Sequence, residues 1–214
     1  MSKTTRILCL LLLGGWIIRS EGQSTGEVGK FYGYPMAGVL MSQLDGDQAS
    51  GYNKFGYNVG VITGFRWQKE GFSAMEFQMS ACERGSRRAF DPITFVNAFH
   101  IRCRQVEMQV NGVYTVDVPR LGSLDLMGGL RYGLLWSVDE TEGTNPGISD
   151  DFRRGVMMAE IGATKLLSDG VALRVTWNYG LSSAVVQDFR SVFYPTGVYH
   201  NGVGVSALFK LGKS

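Results

Sequence analysis

The residue types in this chain that could form a nucleophile and its base are Ser80 and His100. The alternation of apolar and polar residues places both on the inward face of neighbouring predicted strands. A serine becomes a nucleophile when a base takes its proton and a third group orients that base. The pattern fixes no carboxylate beside this pair, and the other histidine, His200, falls beside a predicted loop. We therefore predict structural histidines, no catalytic residue and no enzymatic activity.

Two neighbouring carboxylates, Asp45 and Asp47, could contribute to a calcium-binding loop. Such a loop takes oxygen ligands at alternate positions, but the next position in this series is Ala49, which has no side-chain oxygen. Aspartates at this spacing more often cap a turn. We therefore predict no metal site and no cofactor.

A larger set of charged residues alternates with apolar residues and should face the interior of a barrel. These residues are Arg66, Arg102, Arg104, Arg131, Arg174 and Lys210, with Glu76, Glu107, Asp125 and Glu160. Buried charges are tolerated when opposite charges and hydrogen bonds compensate them. The planar donors of arginine fork well onto carboxylates. The favoured interpretation is a plug of paired charges, and the alternative is a proton or ion path.

The elements that position these residues are long strands with two different faces. In residues 124–136 and again in 171–182, apolar residues alternate with polar or small ones. Because side chains change face at every residue of a strand, each run has one apolar and one polar face. About 9 to 11 residues of tilted strand cross the hydrocarbon of a bilayer, and this alternation is typical of outer-membrane barrels.

The whole chain can be divided into segments of this kind, which predicts an all-β, eight-stranded, antiparallel up-and-down transmembrane β-barrel. The predicted strands are residues 34–43, 57–67, 73–82, 95–113, 124–136, 155–166, 171–182 and 202–211. Short connections alternate with long ones, as in barrels with short periplasmic turns and long external loops. In the fourth strand, Ile101 and Cys103 share one parity whereas Val106 and Met108 share the other. A β-bulge near Arg104 would keep both sets on the outer face.

The N-terminal segment has the features of a secretory signal peptide. Lys3 and Arg6 precede the apolar run 7–18, which is shorter than a membrane-spanning helix. The predicted organisation is a signal peptide at residues 1–22 and a barrel domain at residues 23–214, exported to the outer membrane of a Gram-negative bacterium. The chain carries 21 Lys and Arg against 19 Asp and Glu. Loss of the signal peptide would leave a neutral chain, which argues against nucleic acid as the main partner.

Candidate partner-binding residues lie in and beside the last long loop. They are Phe189, Arg190, Tyr194 and Tyr199. Exposed aromatic residues beside arginine are typical of protein interfaces, so other outer-membrane proteins could bind through the external loops or the barrel wall. The alternative is that these aromatics cover the barrel mouth or join an aromatic belt at the membrane surface.

Two arginine pairs, residues 87–88 and 153–154, lie near the ends of predicted strands. Paired arginines can bind the phosphates of lipopolysaccharide, although charges at strand ends are often only solvated. Outer-membrane lipid and lipopolysaccharide are therefore the expected surroundings of the barrel.

The two cysteines of the predicted barrel, Cys82 and Cys103, fall on neighbouring strands. The assigned phases direct Cys82 inward and Cys103 outward, which opposes the geometry of a disulfide. We therefore predict two free thiols, although an oxidising compartment would permit a bridge.

Several short motifs occur in the order and spacing of a known family. They are SQLDGD at 42–47, GYNKFG at 51–56, EFQ at 76–78, RGSR at 84–87, VEM at 106–108 and NYGL at 178–181. Together they resemble the small outer-membrane β-barrels of the PorT-like family from Bacteroidetes. Gln109 departs from the family, which usually has proline there, and so does the polar tail 210–214. The resemblance implies an eight-stranded outer-membrane barrel, but members of the family do not share one activity.

The sequence thus favours a non-enzymatic outer-membrane barrel that serves as a structural or accessory subunit. Its place in a larger secretion or assembly complex is implied only by the resemblance. One alternative is a barrel enzyme that acts on lipid A or peptides. Another is a soluble barrel of the lipocalin type, which has the same alternation turned inside out and would bind a small apolar ligand. Periodicity cannot distinguish the inner face from the outer one, but the scarcity of lysine on the polar face favours the membrane barrel.

Overall fold

The computed structural model describes residues 29–46, 51–88, 98–120, 122–141, 151–186 and 197–210. Within these residues, eight strands pair antiparallel with their sequence neighbours and close into a barrel, which confirms the predicted fold. The strands are β1 (Lys30–Asp45), β2 (Lys54–Arg66), β3 (Gly71–Arg88), β4 (Phe99–Val118), β5 (Gly122–Thr141), β6 (Gly155–Ser168), β7 (Val171–Gly180) and β8 (Tyr199–Phe209). The proposed signal peptide lies outside the described residues.

The barrel closes through the pairing of β1 with β8, which runs from Met36 opposite Leu208 to Asp45 opposite Tyr199. Closure leaves no strand edge without a hydrogen-bonded neighbour, which is the condition for a sheet to enter lipid. β2 and β3, β4 and β5, and β6 and β7 are joined by few residues, and these turns form the short-turn end. The other connections are longer and form the long-loop end. No helix in the described ranges is long and apolar enough to cross a membrane.

The outer wall is apolar and the interior is polar, which decides between the two predicted barrel types. On β7, Val175 and Trp177 point outward and are 44% and 42% exposed, whereas Arg174 and Asn178, which flank them, are buried. A lipocalin would have the opposite arrangement, with apolar side chains around a central ligand cavity. The fold is therefore of the transmembrane type.

Aromatic side chains mark both edges of the apolar wall. At the short-turn end, the rings of Phe31 and Phe65 lie 4.9 Å apart, and those of Trp67 and Phe72 lie 5.0 Å apart. At the long-loop end, Trp177, Tyr179 and Tyr199 stack in sequence, with centroids 6.1 and 6.3 Å apart. Amphipathic rings favour the membrane–water interface, so these groups bound the lipid-facing band.

The polarity of β4 and β5 reverses near the long-loop end. Ala81, Val106 and Leu134 lie side by side as the last apolar row of the outer wall. Beyond this row β4 has Ile101 and Cys103 on its buried side and His100, Arg102 and Arg104 on its outward side. The inward side chains form a hydrophobic cluster with residues of β1, β6 and the segments beside them. β4 and β5 therefore project beyond the apolar wall, and this hydrophobic cluster fills part of the lumen there.

This reversal corrects the predicted β-bulge. β4 keeps one phase throughout, and Ile101 and Cys103 face inward rather than outward. The extra residue is Trp136 on β5, since Arg104 pairs with Ser137 and Gln105 pairs with Leu135. The prediction was wrong because it assumed that apolar side chains face outward along the entire strand. That assumption holds only where lipid surrounds the barrel.

The cysteine prediction is right about the thiols but wrong about its reason. Cys82 and Cys103 are both free, and both are fully buried on the inner side. Cys82 pairs with Gln105 and Cys103 pairs with Arg84, so the two cysteines are diagonal neighbours. Diagonal partners are about 7–8 Å apart, which is more than a disulfide spans. Register, rather than opposite faces, keeps the thiols apart.

Candidate functional site

The middle of the lumen holds a network of four charged side chains, each at most 2% exposed, from four successive strands. We call Arg84 of β3, Glu107 of β4, Arg131 of β5 and Glu160 of β6 the central network. Arg84 donates to both carboxylate oxygens of Glu107, at 2.6 and 3.2 Å. Arg131 donates to Glu107 Oε2 at 2.5 Å and to Glu160 Oε2. The central network is thus electrically balanced.

Two charged contacts join opposite walls of the barrel. β3 and β7 lie across the ring from each other. Arg84 donates to Asn178 Oδ1 at 2.7 Å, which carries the central network across the lumen from β3 to β7. Closer to the short-turn end, Arg174 of β7 donates to Glu76 Oε2 of β3, also at 2.7 Å. The lumen is therefore crossed by protein at two heights.

A cavity of about 500 Å³ occupies the short-turn end of the lumen. It is lined by the Arg174–Glu76 pair and by a second pair, in which Arg66 donates to Asp125 Oδ2 at 2.7 Å. Arg66 also donates to Thr115 Oγ1 at 2.8 Å, so the guanidinium is held on two strands. These pairs are again balanced, and the central network lies on the long-loop side of the cavity. The cavity is therefore confined to the short-turn end of the lumen and does not form a continuous channel.

The chemistry of the central network suits a role in holding the strands together better than a role in conducting protons or ions. Guanidinium groups stay protonated in proteins, so Arg84 and Arg131 cannot pass protons along a chain of donors and acceptors. Buried ion pairs of this kind must be satisfied by hydrogen bonds, because removing one partner leaves an uncompensated charge. The arrangement locks the inner walls of the strands to one another.

The structure places most of the predicted inward charges in the lumen. The predicted charges that the structure places in the lumen are Arg66, Glu76, Glu107, Asp125, Arg131, Glu160 and Arg174. Arg102 and Arg104 are exceptions. They lie on the outer side of β4, beyond the last apolar row, and Arg104 is paired with Glu83 at 3.5 Å and Asp139 at 2.9 Å. Their assignment to the lumen was wrong because it depended on the bulge predicted in β4.

Sequence reasoning missed Arg84, although its side chain reaches across the lumen to Asn178. The predicted third strand stopped at Cys82, so Arg84 fell in a loop, whereas β3 continues to Arg88. The signal was present in the sequence, because Ser80, Cys82, Arg84 and Ser86 keep the inward parity of the strand. Strands that project beyond the membrane continue past the residues needed to cross it.

The structure separates the histidine and serine that could have formed a catalytic pair. Ser80 lies opposite Glu107, whereas His100 lies opposite Arg87 on the outer side. The inward assignment of His100 was therefore wrong, for the same reason as that of Arg102. His200 is buried in β8, and its Nε2 lies 3.0 Å from Gln105 Nε2. This contact joins β4 and β8 across the lumen and makes His200 part of its packing.

The described residues contain no group of three or more His, Cys, Asp or Glu side chains placed to hold a metal ion. Asp45 accepts hydrogen bonds from Gln43 and from Asn201 Nδ2, the latter at 3.0 Å. Asp45 thus ties the end of β1 to β8, while Asp47 lies outside the described residues.

Of the candidate partner-binding residues, Phe189, Arg190 and Tyr194 lie outside the described residues. Tyr199 is the first residue of β8, and its ring stacks on Tyr179 with an interplanar angle of 10°. Tyr199 therefore belongs to the aromatic group at the long-loop end of the wall. This position fits the predicted alternative of a membrane-surface belt.

Comparisons with known proteins find similar folds at low sequence identity. No family model and no curated protein sequence matches the chain. Ail, the attachment invasion locus protein of Yersinia pestis, aligns over 86% of this chain and 100% of its own, with 11% identity and a TM-score of 0.46. Neisserial surface protein A aligns over 84% of this chain and 97% of its own, with 13% identity and a TM-score of 0.47. The outer membrane protein OprG of Pseudomonas aeruginosa aligns over 90% of this chain and 99% of its own, with 11% identity and a TM-score of 0.38.

Proposed function

We propose that this protein is a non-enzymatic, non-conducting barrel of the Gram-negative outer membrane, exported by a cleaved signal peptide. Its role is that of a structural or accessory subunit, which holds its long external connections and its projecting strands at the cell surface. The resemblance to PorT-like barrels favours a place in a larger secretion or assembly complex.

The observation that supports a non-conducting barrel is the central network and its contact across the lumen. Arg84 reaches from β3 to Asn178 of β7, and both side chains are fully buried at 0% exposure. An eight-stranded barrel has an interior that side chains can just fill. A barrel filled in this way offers a rigid anchor, and a surface for partners remains on its wall and its long-loop end.

Planar-bilayer recording tests the absence of conductance. The purified chain, folded in detergent and inserted into a lipid bilayer, should give no steady current steps above the membrane baseline. An open porin reconstituted in the same bilayer serves as the positive control. Reproducible single-channel steps from the folded wild-type chain would overturn the proposal, because they require a water-filled path past Arg84.

Cross-linking in the native bacterium tests the accessory role. A photo-reactive side chain at an outward position above the apolar wall, such as Asp139, should capture a defined outer-membrane protein. The same group at Val175, in mid-membrane, provides the matched control for contacts through lipid. A chain that cross-links only to itself or to lipid from every exposed position would contradict the role as a subunit.

Deletion of the gene tests the enzymatic alternative. A barrel that modifies lipid A or cleaves surface peptides would leave a chemical trace, whereas a structural barrel would not. We expect the lipid A mass spectrum and the cleavage of added peptides to be the same in deletion and parent strains. A mass change in lipid A that is restored by the wild-type gene would favour the enzyme.

A further inference from the structure

The outer wall of β3 and β4 changes from apolar to charged within one row of residues. Ala81 and Val106 pair in the last apolar row, and Glu83 pairs with Arg104 in the next. Above them, the outward positions of β4 are Arg102 and His100, and the opposite outward residue on β3 is Arg87. We call Arg87, His100, Arg102 and Arg104 the wall patch.

The height of the wall patch can be read from β4. Its outward residues are apolar from Val116 to Val106, which is about the length that crosses the hydrocarbon of a bilayer. Trp136, the bulged residue of β5, lies beside Arg104 at the same boundary and is 53% exposed. The wall patch therefore begins at the membrane surface, where lipid headgroups lie.

The charges of the wall patch are only partly neutralised. Arg104 is paired with Glu83 and Asp139, and Glu83 also accepts a hydrogen bond from Lys54 at 2.5 Å. By contrast, Arg87 and Arg102 have no carboxylate within 4.0 Å in the part of the chain that the structure describes. Arg102 instead lies 3.5 Å from His100 through Nε and Nε2. Two guanidinium groups on adjacent strands thus have donors available for an anion.

We propose that the wall patch binds the phosphate groups of a lipid in the outer leaflet, with Arg87 and Arg102 as the main phosphate ligands. The inference rests on the proposed orientation, in which the long-loop end faces the outside. The ligand is a phosphorylated glycolipid, because its phosphates lie at the headgroup level while its acyl chains cover the apolar wall below. Guanidinium forks match phosphate oxygens in geometry and charge.

Arg87 and Arg102 are diagonal neighbours, since Arg87 pairs with His100 and Arg102 pairs with Gly85. Diagonal side chains on adjacent strands are within reach of one another when they are long. Both can therefore contact one phosphate, while Arg104 stays fixed by its carboxylates. On β1, two strands away from β3, the outward residues near the same end are Gln43 and Asp45, which offer no such site.

Native mass spectrometry of the full folded chain in detergent tests the proposal. The probes are lipid A with two phosphates, the same lipid with one phosphate, and the same lipid with none. Affinity should fall with each phosphate removed. The double variant Arg87→Gln with Arg102→Gln should bind the two-phosphate lipid roughly tenfold more weakly or worse, because each charge-assisted contact is lost.

The matched control is Lys69→Gln with Arg120→Gln, which removes two exposed cations from the short-turn end and should not change binding. Arg102→Lys keeps the positive charge but lacks the forked donors of the guanidinium group, so it should give an intermediate loss of affinity for the two-phosphate lipid. Folding of every variant is checked by the heat-dependent shift of the barrel in gel electrophoresis.

Equal binding of the lipid without phosphates, or an equal loss of affinity in the control variant, would overturn the proposal. Full competition by millimolar inorganic phosphate would assign the wall patch to free phosphate instead. None of these results depends on conductance or on a protein partner, so a failure of the lipid proposal can be distinguished from a failure of the proposed function.

Discussion

Glu107 accepts hydrogen bonds from Arg84 and Arg131, which come from strands on either side of it. This single carboxylate therefore helps to neutralise two buried guanidinium groups. The central network would lose its balance if this single negative charge were removed, because neither arginine can become neutral.

Glu107→Gln should therefore be strongly destabilising although it changes almost no volume. We expect a loss of about 3–5 kcal/mol in the free energy of unfolding, the usual cost of leaving a buried charge without its partner. Urea unfolding in lipid vesicles, followed by tryptophan fluorescence, measures it. Glu70→Gln, at an exposed turn position, is the control and should cost less than 0.5 kcal/mol. A loss below about 1 kcal/mol for Glu107→Gln would mean that the network is hydrated and not buried.

β4 contains two strands of different character joined end to end. Its first half lies above the membrane surface, with Ile101 inside and Arg102 outside, and its second half crosses the membrane with the polarity reversed. The backbone keeps its alternation throughout. The residues change sides because the solvent around the barrel changes from water to lipid.

Ile101→Ala tests this reversal, since it removes a side chain that is 2% exposed and packed in the hydrophobic cluster of the projecting barrel. The expected loss is about 2–5 kcal/mol, as for other core truncations. Arg102→Ala, one residue along on the outer side, should cost less than about 0.5 kcal/mol. Equal small losses would show that Ile101 faces outward after all, and a bulge in β4 would then be required.

The membrane-spanning part of the outer wall is tested on β7, where Val175 lies between Arg174 and Thr176. Val175→Arg places a charge in hydrocarbon and should destabilise the barrel by about 2–4 kcal/mol. Val175→Leu, which stays apolar, should be nearly silent. Chemical labelling supplies an independent measurement. Val175→Cys in intact membranes should react with a lipid-soluble maleimide and resist an impermeant one, and rapid labelling by the impermeant reagent would contradict the orientation of the wall.

At the scale of the whole molecule, stability depends on the seam between the first and last strands. Gly38 of β1 lies against β8, and a Cβ atom at this position would come within 2.7 Å of Ser206 Cα. Residues on β8 can approach β1 closely only because Gly38 has no side chain. The seam forms from strands at opposite ends of the described chain, so closure requires the rest of the barrel to be in place.

Gly38→Ala should therefore hinder closure, whereas Gly33→Ala on the same strand should not. A Cβ atom at Gly33 would meet its nearest neighbour, the Ile62 carbonyl oxygen, at an ordinary 3.6 Å. The folded fraction can be measured by the heat-dependent shift in gel electrophoresis after refolding into vesicles. Equal folded fractions for the two variants would show that the seam can widen without cost.

The sequence by itself determined the fold type, because alternation of apolar and polar residues is a local property of each strand. Residues 171–182 and 57–67 show it clearly, and they correspond closely to β7 and β2. β1 was harder to delimit because its inward residues include Tyr32, Met36 and Leu40, which are apolar and buried. Alternation is blurred wherever both faces of a strand are apolar.

Only the tertiary structure decided which face is inside at each height and which charges meet. Arg84 and Asn178 are 94 residues apart in sequence, and their contact depends on the positions of β3 and β7 in a closed ring. Arg102 and Arg104 have the same residue type as Arg131, but the unbroken alternation of β4 puts them on the outer side, above the last apolar row. Local pattern fixes the alternation of a strand, but the environment on its two sides is a property of the assembled barrel and the lipid around it.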